Sequence, residues 1–196
     1  MSIVTLVSGG LDSTLMAILA HEEGIAQFPL FVDYGQIARE REMAACRRVL
    51  RGYGVSNIEV IGISGYGAFM SSGLTDASKR VVEDAFTPGR NLMFLLLGAA
   101  YAYRVNANAV AIGLLKEDTS LFPDQTENFV RLAELTLSAA LGRAIKVLTP
   151  LRAFSKADVV QLAHSKGVAG TYSCHVGGEE PCGRCIACRE FATEGE

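Results

Sequence analysis

The sequence predicts an α/β protein in which a parallel five-stranded sheet is covered by helices on both faces. Short apolar runs alternate with longer, helix-patterned segments along the chain. Such alternation is typical of βαβ units, whose strands are buried from both sides. The first apolar run also leads through two adjacent glycines directly into a helical segment. With 196 residues, the chain is long enough to bury one sizeable core.

The strands are predicted where four to seven mostly apolar residues stand between polar or turn-forming ones. These runs are residues 3–7, 28–32, 57–63, 110–113 and 145–148. Helical patterns occupy residues 15–21, 37–50 and 127–141, and a last helix begins around Ser155, a serine suited to cap it.

Two further segments are predicted from composition. The longest apolar stretch, Leu92 to Ala102, is too short to span a bilayer and predicts a buried helix. Residues 64–90 are rich in glycine, serine and threonine and predict a long loop. Long loops in compact domains are often functional, so this one is either a lid over a ligand or a simple connection.

Composition limits the partners and the compartment. A hydrophobic fraction of 49% with 20% charged residues is ordinary for a globular protein. The net charge of −3 gives no electrostatic footprint for nucleic acid or a membrane surface, so direct binding to either is not expected. No Lys/Arg-led signal sequence precedes the first strand, and we therefore expect a cytoplasmic protein.

The segment after the first strand predicts an anion site. It reads Ser-Gly-Gly-Leu-Asp-Ser-Thr, so glycines allow a close approach while the free N–H groups of the next helix face the ligand. Asp12 stands where Mg²⁺ could bridge to a phosphate. The spacing is neither that of the Walker loop nor that of the dinucleotide fingerprint. The alternative is an ordinary turn with a serine N-cap. The predicted ATP-binding residues here are Ser8, Gly9, Gly10, Leu11, Asp12, Ser13 and Thr14.

Four of the five cysteines stand close together near the end of the chain: Cys174, Cys182, Cys185 and Cys188. Four thiolates at this spacing suit a tetrahedral, structural Zn²⁺. An iron–sulfur cluster is the main alternative, and two disulfides in an oxidising compartment are the third. His175 lies within the cluster, but four sulfur ligands leave it no coordination position.

The opening motif resembles the PP-loop of ATP pyrophosphatases. Together with the cysteines and several shorter motifs, it makes the whole chain similar to the QueC-like family of 7-cyano-7-deazaguanine synthases. The shorter motifs, in chain order, are Asp33-Tyr34-Gly35-Gln36, Pro88-Gly89-Arg90-Asn91, Pro123-Asp124, Thr149-Pro150-Leu151, Ser155-Lys156-Ala157 and Thr171-Tyr172-Ser173-Cys174. The resemblance implies a Rossmann-like, adenine nucleotide alpha hydrolase-like domain over residues 1–168. A small zinc-binding segment over residues 169–196 would follow, and the protein would form a homodimer.

The resemblance also implies a reaction. ATP would activate the carboxylate of 7-carboxy-7-deazaguanine as an acyl adenylate, ammonia would convert it to an amide, and a second activation would give the nitrile. Asp12, Arg90 and Lys156 are the implied catalytic residues, and Arg90 would also contact ATP. Both cations stand at predicted helix starts, where the helix dipole does not favour them, which indicates a ligand there. The implied substrate-binding residues are Tyr34, Gln36, Asp118, Ser120, Phe122 and Asp124.

The chain departs from the family pattern near the expected substrate. The family usually carries Ser-Gly-Tyr-Pro-Asp-Cys-Arg where this chain has residues 120–126, and Gln-Arg-His where it has Gln36-Ile37-Ala38. The acceptor of the activated group is therefore open: ammonia, or another amine such as a protein N-terminus in an accessory or antiphage defence system. A tRNA thiolation enzyme would need a basic surface and a catalytic cysteine pair, which the sequence lacks. A non-catalytic ATP-binding sensor is a further alternative.

Overall fold

The computed structural model describes residues 1–119 and 121–192. These residues form one sheet of five parallel strands in the order β3-β2-β1-β4-β5. The strands are β1 (Ser2–Leu6), β2 (Ala26–Asp33), β3 (Glu59–Gly62), β4 (Ala109–Ala111) and β5 (Lys146–Leu148). The predicted fold class is confirmed, and each strand lies within about two residues of its predicted run.

Seven α-helices occupy the described residues. They are α1 (Leu11–Glu22), α2 (Arg39–Gly52), α3 (Ser64–Met70), α4 (Arg90–Arg104), α5 (Glu127–Leu141), α6 (Lys156–Ser165) and α7 (Ile186–Ala192). The predicted start of α6 is confirmed, because the Ser155 hydroxyl accepts a hydrogen bond from the Asp158 N–H at 3.2 Å. Helix α1 begins four residues earlier than the periodicity predicted, directly after Gly10.

The core lies in two layers, one on each face of the sheet. Helices α4 and α5 cover one face, where Leu95 and Leu137 pack against Val4 and Val110. Helices α1, α2 and α6 cover the other face, with α1 in the middle. Alternate residues of β1 point to opposite faces, as the pleat of a strand requires, which is why its whole run is apolar.

The order of the strands places the ligand-binding edge. The chain runs outwards from β1 through β2 to β3 and then returns to the other side of β1 as β4. In parallel sheets of this kind, ligands bind beyond the carboxyl ends of the strands where the order reverses. The segment that follows β1 is the predicted phosphate loop, so the topology puts this loop at the reversal.

Two sequence predictions are wrong in detail. Residues 64–90 are not one long loop, because they contain α3 and a set of hydrogen-bonded turns between residues 71 and 88. Helix α4 is not a buried helix: Leu92 and Leu96 are 41% and 48% exposed, since only the face carrying Leu95 and Ala99 meets the sheet.

In the part of the chain that is described, no helix combines the length and the apolar character needed to cross a membrane.

Candidate active-site cleft

A cleft of about 320 Å³ opens at the carboxyl ends of β1, β2 and β4. Its volume is in the range of small-molecule sites. Most of the predicted ATP-binding and catalytic residues line it, together with three of the substrate-binding ones. These residues are Ser8, Gly10, Leu11, Asp12, Ser13, Tyr34, Gln36, Arg90, Phe122 and Lys156.

The phosphate loop presents backbone N–H groups to the cleft. Gly10 is the N-cap of α1, and among the described residues no side chain caps this helix end. The N–H groups of the first turn lack acceptors within the helix, so they are available to an anion. The Ser13 hydroxyl accepts a hydrogen bond from the Ser8 N–H at 3.0 Å and lies 3.0 Å from the Ser8 hydroxyl, which holds the loop in this form.

Two residues of the predicted motif lie behind the cleft wall. Gly9 has a φ of +84°, and a Cβ built on it would stand 2.2 Å from the carbonyl oxygen of Glu42. Gly9 therefore lets the loop pack on α2. Thr14 is fully buried beneath the loop. Direct contacts of these two residues with ATP stay predictions.

Lys156 connects the start of α6 to the phosphate loop. Its Nζ lies 2.8 and 3.1 Å from the two carboxylate oxygens of Asp12 and 3.3 Å from a carboxylate oxygen of Glu190 on α7. The ammonium also lies 5.0 Å from the centre of the Phe191 ring. One cation and two carboxylates thus meet at the wall of the cleft beside the phosphate loop.

Arg90 lies on the opposite wall, at the first residue of α4. Its guanidinium stands 5.8 Å from the ring centre of Tyr34 and 6.0 Å from that of Phe94, and its Nη1 donates to the Tyr34 hydroxyl at 3.3 Å. Burial raises the pKa of Tyr34, and the charge of Arg90 opposes this only in part. The phenol therefore stays protonated at neutral pH and can donate to a ligand.

Gln36 is held in the turn after β2. Its Oε1 accepts from the Tyr34 N–H at 2.9 Å, while its Nε2 donates to the carbonyl of Val32 at 3.3 Å and to Glu42 Oε2 at 3.0 Å. The amide is thus used mainly within the protein. Its predicted role in binding substrate stays a prediction, and the geometry shows it positioning Tyr34 and Glu42.

The predicted base-binding segment is only partly at the cleft. Phe122 lines the cleft and stacks on Phe86, with ring centres 5.0 Å apart. Asp124 accepts a hydrogen bond from the Asn91 N–H at 3.3 Å and so stabilises the start of α4. Asp118 is exposed on a 3-10 turn away from the cleft wall. Ser120 lies outside the described residues.

Glu42 and His175 are among the cleft residues that the sequence did not predict. Glu42 stands on α2 at the same helix face as buried Ala45, Cys46 and Val49. A carboxylate on the apolar face of an amphipathic helix was the signal that could have found it. His175 lines the cleft as well, and burial, together with the charges of Arg90 and Lys156, lowers its pKa to about 4. The sequence placed His175 within the cysteine cluster, but no pattern connected it with the cleft.

The four cysteines come together as one candidate metal site. The Sγ atoms of Cys174, Cys182, Cys185 and Cys188 all lie within 4.8 Å of one another, and those of Cys182 and Cys188 are 3.9 Å apart. A tetrahedral Zn²⁺ with Zn–S bonds of about 2.3 Å requires sulfurs roughly 3.8 Å apart. No disulfide joins the described cysteines. A [4Fe–4S] cluster would hold its thiolates farther apart, because each binds a different iron atom.

Backbone N–H groups support the same thiols. Cys182, Cys185 and Cys188 each donate an N–H at 3.4 Å to the sulfur of the preceding cysteine. Burial raises the pKa of Cys182, but hydrogen bonds from the backbone of Arg184 and Cys185 outweigh it and bring the value to about 6. At Cys182 these hydrogen bonds stabilise the thiolate, the form that binds metal, whereas burial raises the pKa of Cys185 and raises that of Cys188 to about 12.

The cysteine segment also forms part of the cleft. The Tyr172 N–H donates to the carbonyl of Gly9 at 2.9 Å, and Arg48 Nη2 donates to the carbonyl of Gly170 at 2.8 Å. Helix α7 begins between Cys185 and Cys188 and brings Ile186, Ala187 and Glu190 to the cleft wall. The boundary predicted at residue 168 stays a prediction, and across it the two segments share the cleft.

Comparison with solved structures supports the fold. The chain is similar to the U34-tRNA thiolase NcsA from Methanococcus maripaludis, with a TM-score of 0.58 and 16% identity over 99% of this chain and 64% of that one. The NMN synthetase from Francisella tularensis gives a TM-score of 0.56 and 17% identity, covering 91% and 68% of the two chains. At this identity, the likeness concerns the fold alone.

Sequence relatives are much closer. A 7-cyano-7-deazaguanine synthase 2 from Desulfitobacterium hafniense strain Y51 is 36% identical over 200 residues, covering 94% of this chain and 84% of that protein. A 7-cyano-7-deazaguanine synthase from Campylobacter concisus is 32% identical over 198 residues, covering 95% and 90%. Residues 2–193 match the family described as queuosine biosynthesis protein QueC. With the phosphate loop at the strand reversal and four gathered cysteines, the chain belongs to the QueC family.

Proposed function

We propose that this protein is a 7-cyano-7-deazaguanine synthase, which uses ATP to activate the carboxylate of 7-carboxy-7-deazaguanine and then forms the amide and the nitrile with ammonia. The observation that carries this proposal is the Lys156–Asp12 pair beside the phosphate loop, with Arg90 across the same cleft. Membership of the QueC family supplies the substrate class.

The activation step follows from these positions. A carboxylate oxygen of the substrate attacks the α-phosphorus of ATP, and the bond from this phosphorus to the oxygen bridging to the β-phosphate breaks, releasing pyrophosphate. We assign the first-turn N–H groups of α1 and the hydroxyls of Ser8 and Ser13 to the phosphates. Lys156 and Arg90 offset the charge that develops on the leaving group, which is where preorganised cations lower a barrier most.

Magnesium fits the carboxylates at this wall. Asp12 and Glu190 both contact Lys156 Nζ, so their carboxylate oxygens point towards the same position. Hard oxygen donors of this kind suit Mg²⁺ that is bound together with phosphates. When bound there with ATP, the ion would neutralise phosphate charge. Zinc fits the cysteine cluster as a closed structural site, since all four positions of a tetrahedron are taken by sulfur.

We assign the deazaguanine ring to the aromatic part of the cleft. Tyr34 and Phe122 present ring surface there, and the Tyr34 phenol can donate a hydrogen bond. A planar, apolar-faced base with polar edges is suited to such walls. Asp118, Asp124 and Ser120 are not needed for this assignment.

The proposal is tested by incubating the purified protein with ATP, 7-carboxy-7-deazaguanine and ammonium. Pyrophosphate and AMP are measured, and the base is followed by mass spectrometry. Formation of AMP together with the amide and then the nitrile is expected. AMP without either product would mean that ammonia is not the acceptor, and another amine, such as a protein N-terminus, would then be tried. Absence of base-dependent pyrophosphate release would contradict the proposal, and normal ATP binding in that case would favour a sensor.

A further inference from the structure

Glu42 is a residue of helix α2 whose carboxylate lies at the cleft. It stands three, four and seven residues before Ala45, Cys46 and Val49, which form the buried face of α2. Glu42 lines the cleft together with residues of the phosphate loop and with Tyr34 and Phe94. Its carbonyl oxygen is the atom against which Gly9 packs. The position of Glu42 is therefore fixed at the junction of the ATP and substrate regions.

The orientation of this carboxylate is also fixed. Gln36 Nε2 donates to Glu42 Oε2 at 3.0 Å, and Gln36 Oε1 accepts from the Tyr34 N–H at 2.9 Å. Because the backbone N–H of Tyr34 can only donate, the amide must present its nitrogen to Glu42. The hydrogen bond thus holds Oε2, and among the described residues no hydrogen bond holds Oε1.

Glu42 differs from the other carboxylates of the cleft in its partners. Among the described residues at the cleft wall, Asp12 and Glu190 both pair with Lys156, whereas Glu42 has no ion pair within 4 Å. The groups that face it are the Arg90 guanidinium, the Tyr34 and Tyr172 phenols, the Cys46 thiol and the Gln36 amide.

These surroundings suit proton exchange near neutral pH. Burial raises the pKa of Glu42 to about 7, and the hydrogen bond from Gln36 and the charge of Arg90 offset the burial only in part. The Cys46 thiol and the Tyr34 phenol stay protonated near neutral pH and cannot take up this proton: burial raises the pKa of Cys46 to about 12 and also raises that of Tyr34. A base works best when its pKa lies near the working pH.

Resting on the proposed function, we propose that Glu42 is the catalytic base of amine capture, taking a proton from ammonia as its nitrogen attacks the activated carboxyl carbon. A C–N bond forms, the bond from this carbon to the oxygen of AMP breaks, and AMP leaves with that electron pair. The proton lost by nitrogen goes to the Glu42 carboxylate. The products are the neutral amide, AMP and a protonated Glu42, which returns its proton to water.

The test separates activation from amine capture in wild type and Glu42→Gln. Activation is followed as exchange of labelled pyrophosphate into ATP that depends on 7-carboxy-7-deazaguanine, and capture as amide formed per unit time. Glutamine keeps the size of the side chain, so a role in packing would be retained. We expect amide formation to fall on the order of 10²-fold, at least tenfold more than exchange does. Glu40→Gln, an exposed change on the same helix, is the matched control and leaves both rates at wild-type values.

The pH dependence of the rate of amide formation distinguishes a base from a residue that only positions other groups. Rates are measured at a constant concentration of unprotonated ammonia, so the titration of ammonium itself does not contribute. The wild-type rate of amide formation is expected to rise through pH 7 as Glu42 loses its proton, and that of Glu42→Gln to be flat. Hydroxylamine, a weaker base and stronger nucleophile than ammonia, is expected to restore capture in the variant in large part.

Each outcome decides between the two proposals. If wild type shows exchange but Glu42→Gln forms amide at the wild-type rate, or with the wild-type pH profile, the role of Glu42 is wrong and the proposed function stands. A variant that loses exchange and capture equally, while it unfolds at or above the wild-type temperature, also rejects a base specific to capture. If wild type shows no base-dependent exchange, the proposed function fails and the role of Glu42 fails with it.

Discussion

At the scale of single residues, the charged side chains of the cleft differ in the partners that surround them. Lys156 brings together two carboxylates from distant parts of the chain, Asp12 and Glu190. Glu42 faces the same cleft with only neutral hydrogen-bond partners and the more distant charge of Arg90. These two environments predict an effect on stability when the charge of Glu42 is removed and an effect on the reaction rate when that of Lys156 is removed.

Replacement of Glu42 by glutamine is expected to stabilise the protein at neutral pH. Because the folded state raises this pKa from 4.5 to about 7, the folded protein binds the proton more tightly than the unfolded chain. The stability contributed by the protonated form is complete below pH 4.5 and is lost as the pH rises through 7. At 1.36 kcal/mol per pKa unit, the upper bound on this loss is roughly 3 kcal/mol.

The measurement is urea unfolding of wild type and Glu42→Gln between pH 4.5 and 8. The advantage of the variant in free energy of unfolding should grow across this interval. An advantage that is the same at every pH would show that the pKa of Glu42 is not raised in the folded protein.

Replacement of Lys156 by alanine is expected to lower the rate of pyrophosphate exchange on the order of 10²- to 10³-fold. The change removes the cation beside the phosphate loop and leaves Asp12 and Glu190 facing each other without it. Exchange is measured at saturating ATP, with Lys79→Ala, a change at an exposed lysine, as control. A decrease only in ATP affinity, with the maximal rate retained, would contradict a catalytic role.

At the scale of elements, the phosphate loop depends on how closely it packs against α2. Gly9 has both a left-handed φ and a backbone oxygen 2.2 Å from where a Cβ would stand. Gly24 has a left-handed φ of +68° but nothing within 4 Å of its Cβ position. The two glycines therefore separate the cost of backbone conformation from the cost of a clash.

We expect Gly24→Ala to lower the free energy of unfolding by about 1 kcal/mol and Gly9→Ala by roughly 1–3 kcal/mol more, because a clash with backbone is relieved only if α2 moves. Gly9→Ala should also weaken ATP binding, which Gly24→Ala should not. Chemical denaturation and calorimetric titration with ATP measure these effects. Equal destabilisation by the two changes would mean that the contact between the loop and α2 is not tight.

At the scale of the whole molecule, the cysteine cluster and the cleft are parts of one structure. Helix α7 begins inside the cluster and carries Glu190 to Lys156. The chain before the cluster is hydrogen-bonded to the phosphate loop through Tyr172 and Gly9. A metal ion that fixes the four sulfurs would therefore also fix this wall of the cleft.

Removal of the metal with a strong chelator is expected to lower the unfolding temperature and the affinity for ATP together. Elemental analysis should give one zinc per chain, and adding zinc back should restore both properties. Iron with acid-labile sulfide would contradict the zinc assignment. Loss of thermal stability without any change in ATP affinity would contradict the coupling between the cluster and the cleft.

The exposed leucines of α4 and α5 bear on the predicted homodimer. Leu96 is 48% exposed and Leu135 is 58% exposed, and both stand on helices that cover the same face of the sheet. We expect wild type to be a dimer in light scattering and the double change Leu96→Lys with Leu135→Lys to be a monomer. A wild-type monomer, or a variant that stays dimeric, would contradict an interface on these helices.

Much of the fold was predictable because its determinants are local. The apolar runs, the glycine pair after β1 and the Ser155 cap each act over a few residues, and strands, turn and helix start follow from them. The cysteines were predictable as one site since three of them are separated by only two residues. Residues 64–90 were harder, because α3 is short and glycine-rich and is held by contacts with the rest of the protein.

The sequence by itself determined the α/β class, the anion-binding loop, the cysteine site and, through its motifs, the family. Which of the predicted residues share the cleft was decided by the tertiary structure. It brought Lys156 to Asp12 across 144 positions of sequence, left Asp118 in solvent and turned Glu42 inwards. The physical reason is that a local pattern fixes the conformation of a segment. The partners and pKa of a side chain depend instead on which distant segments the sheet order places beside it.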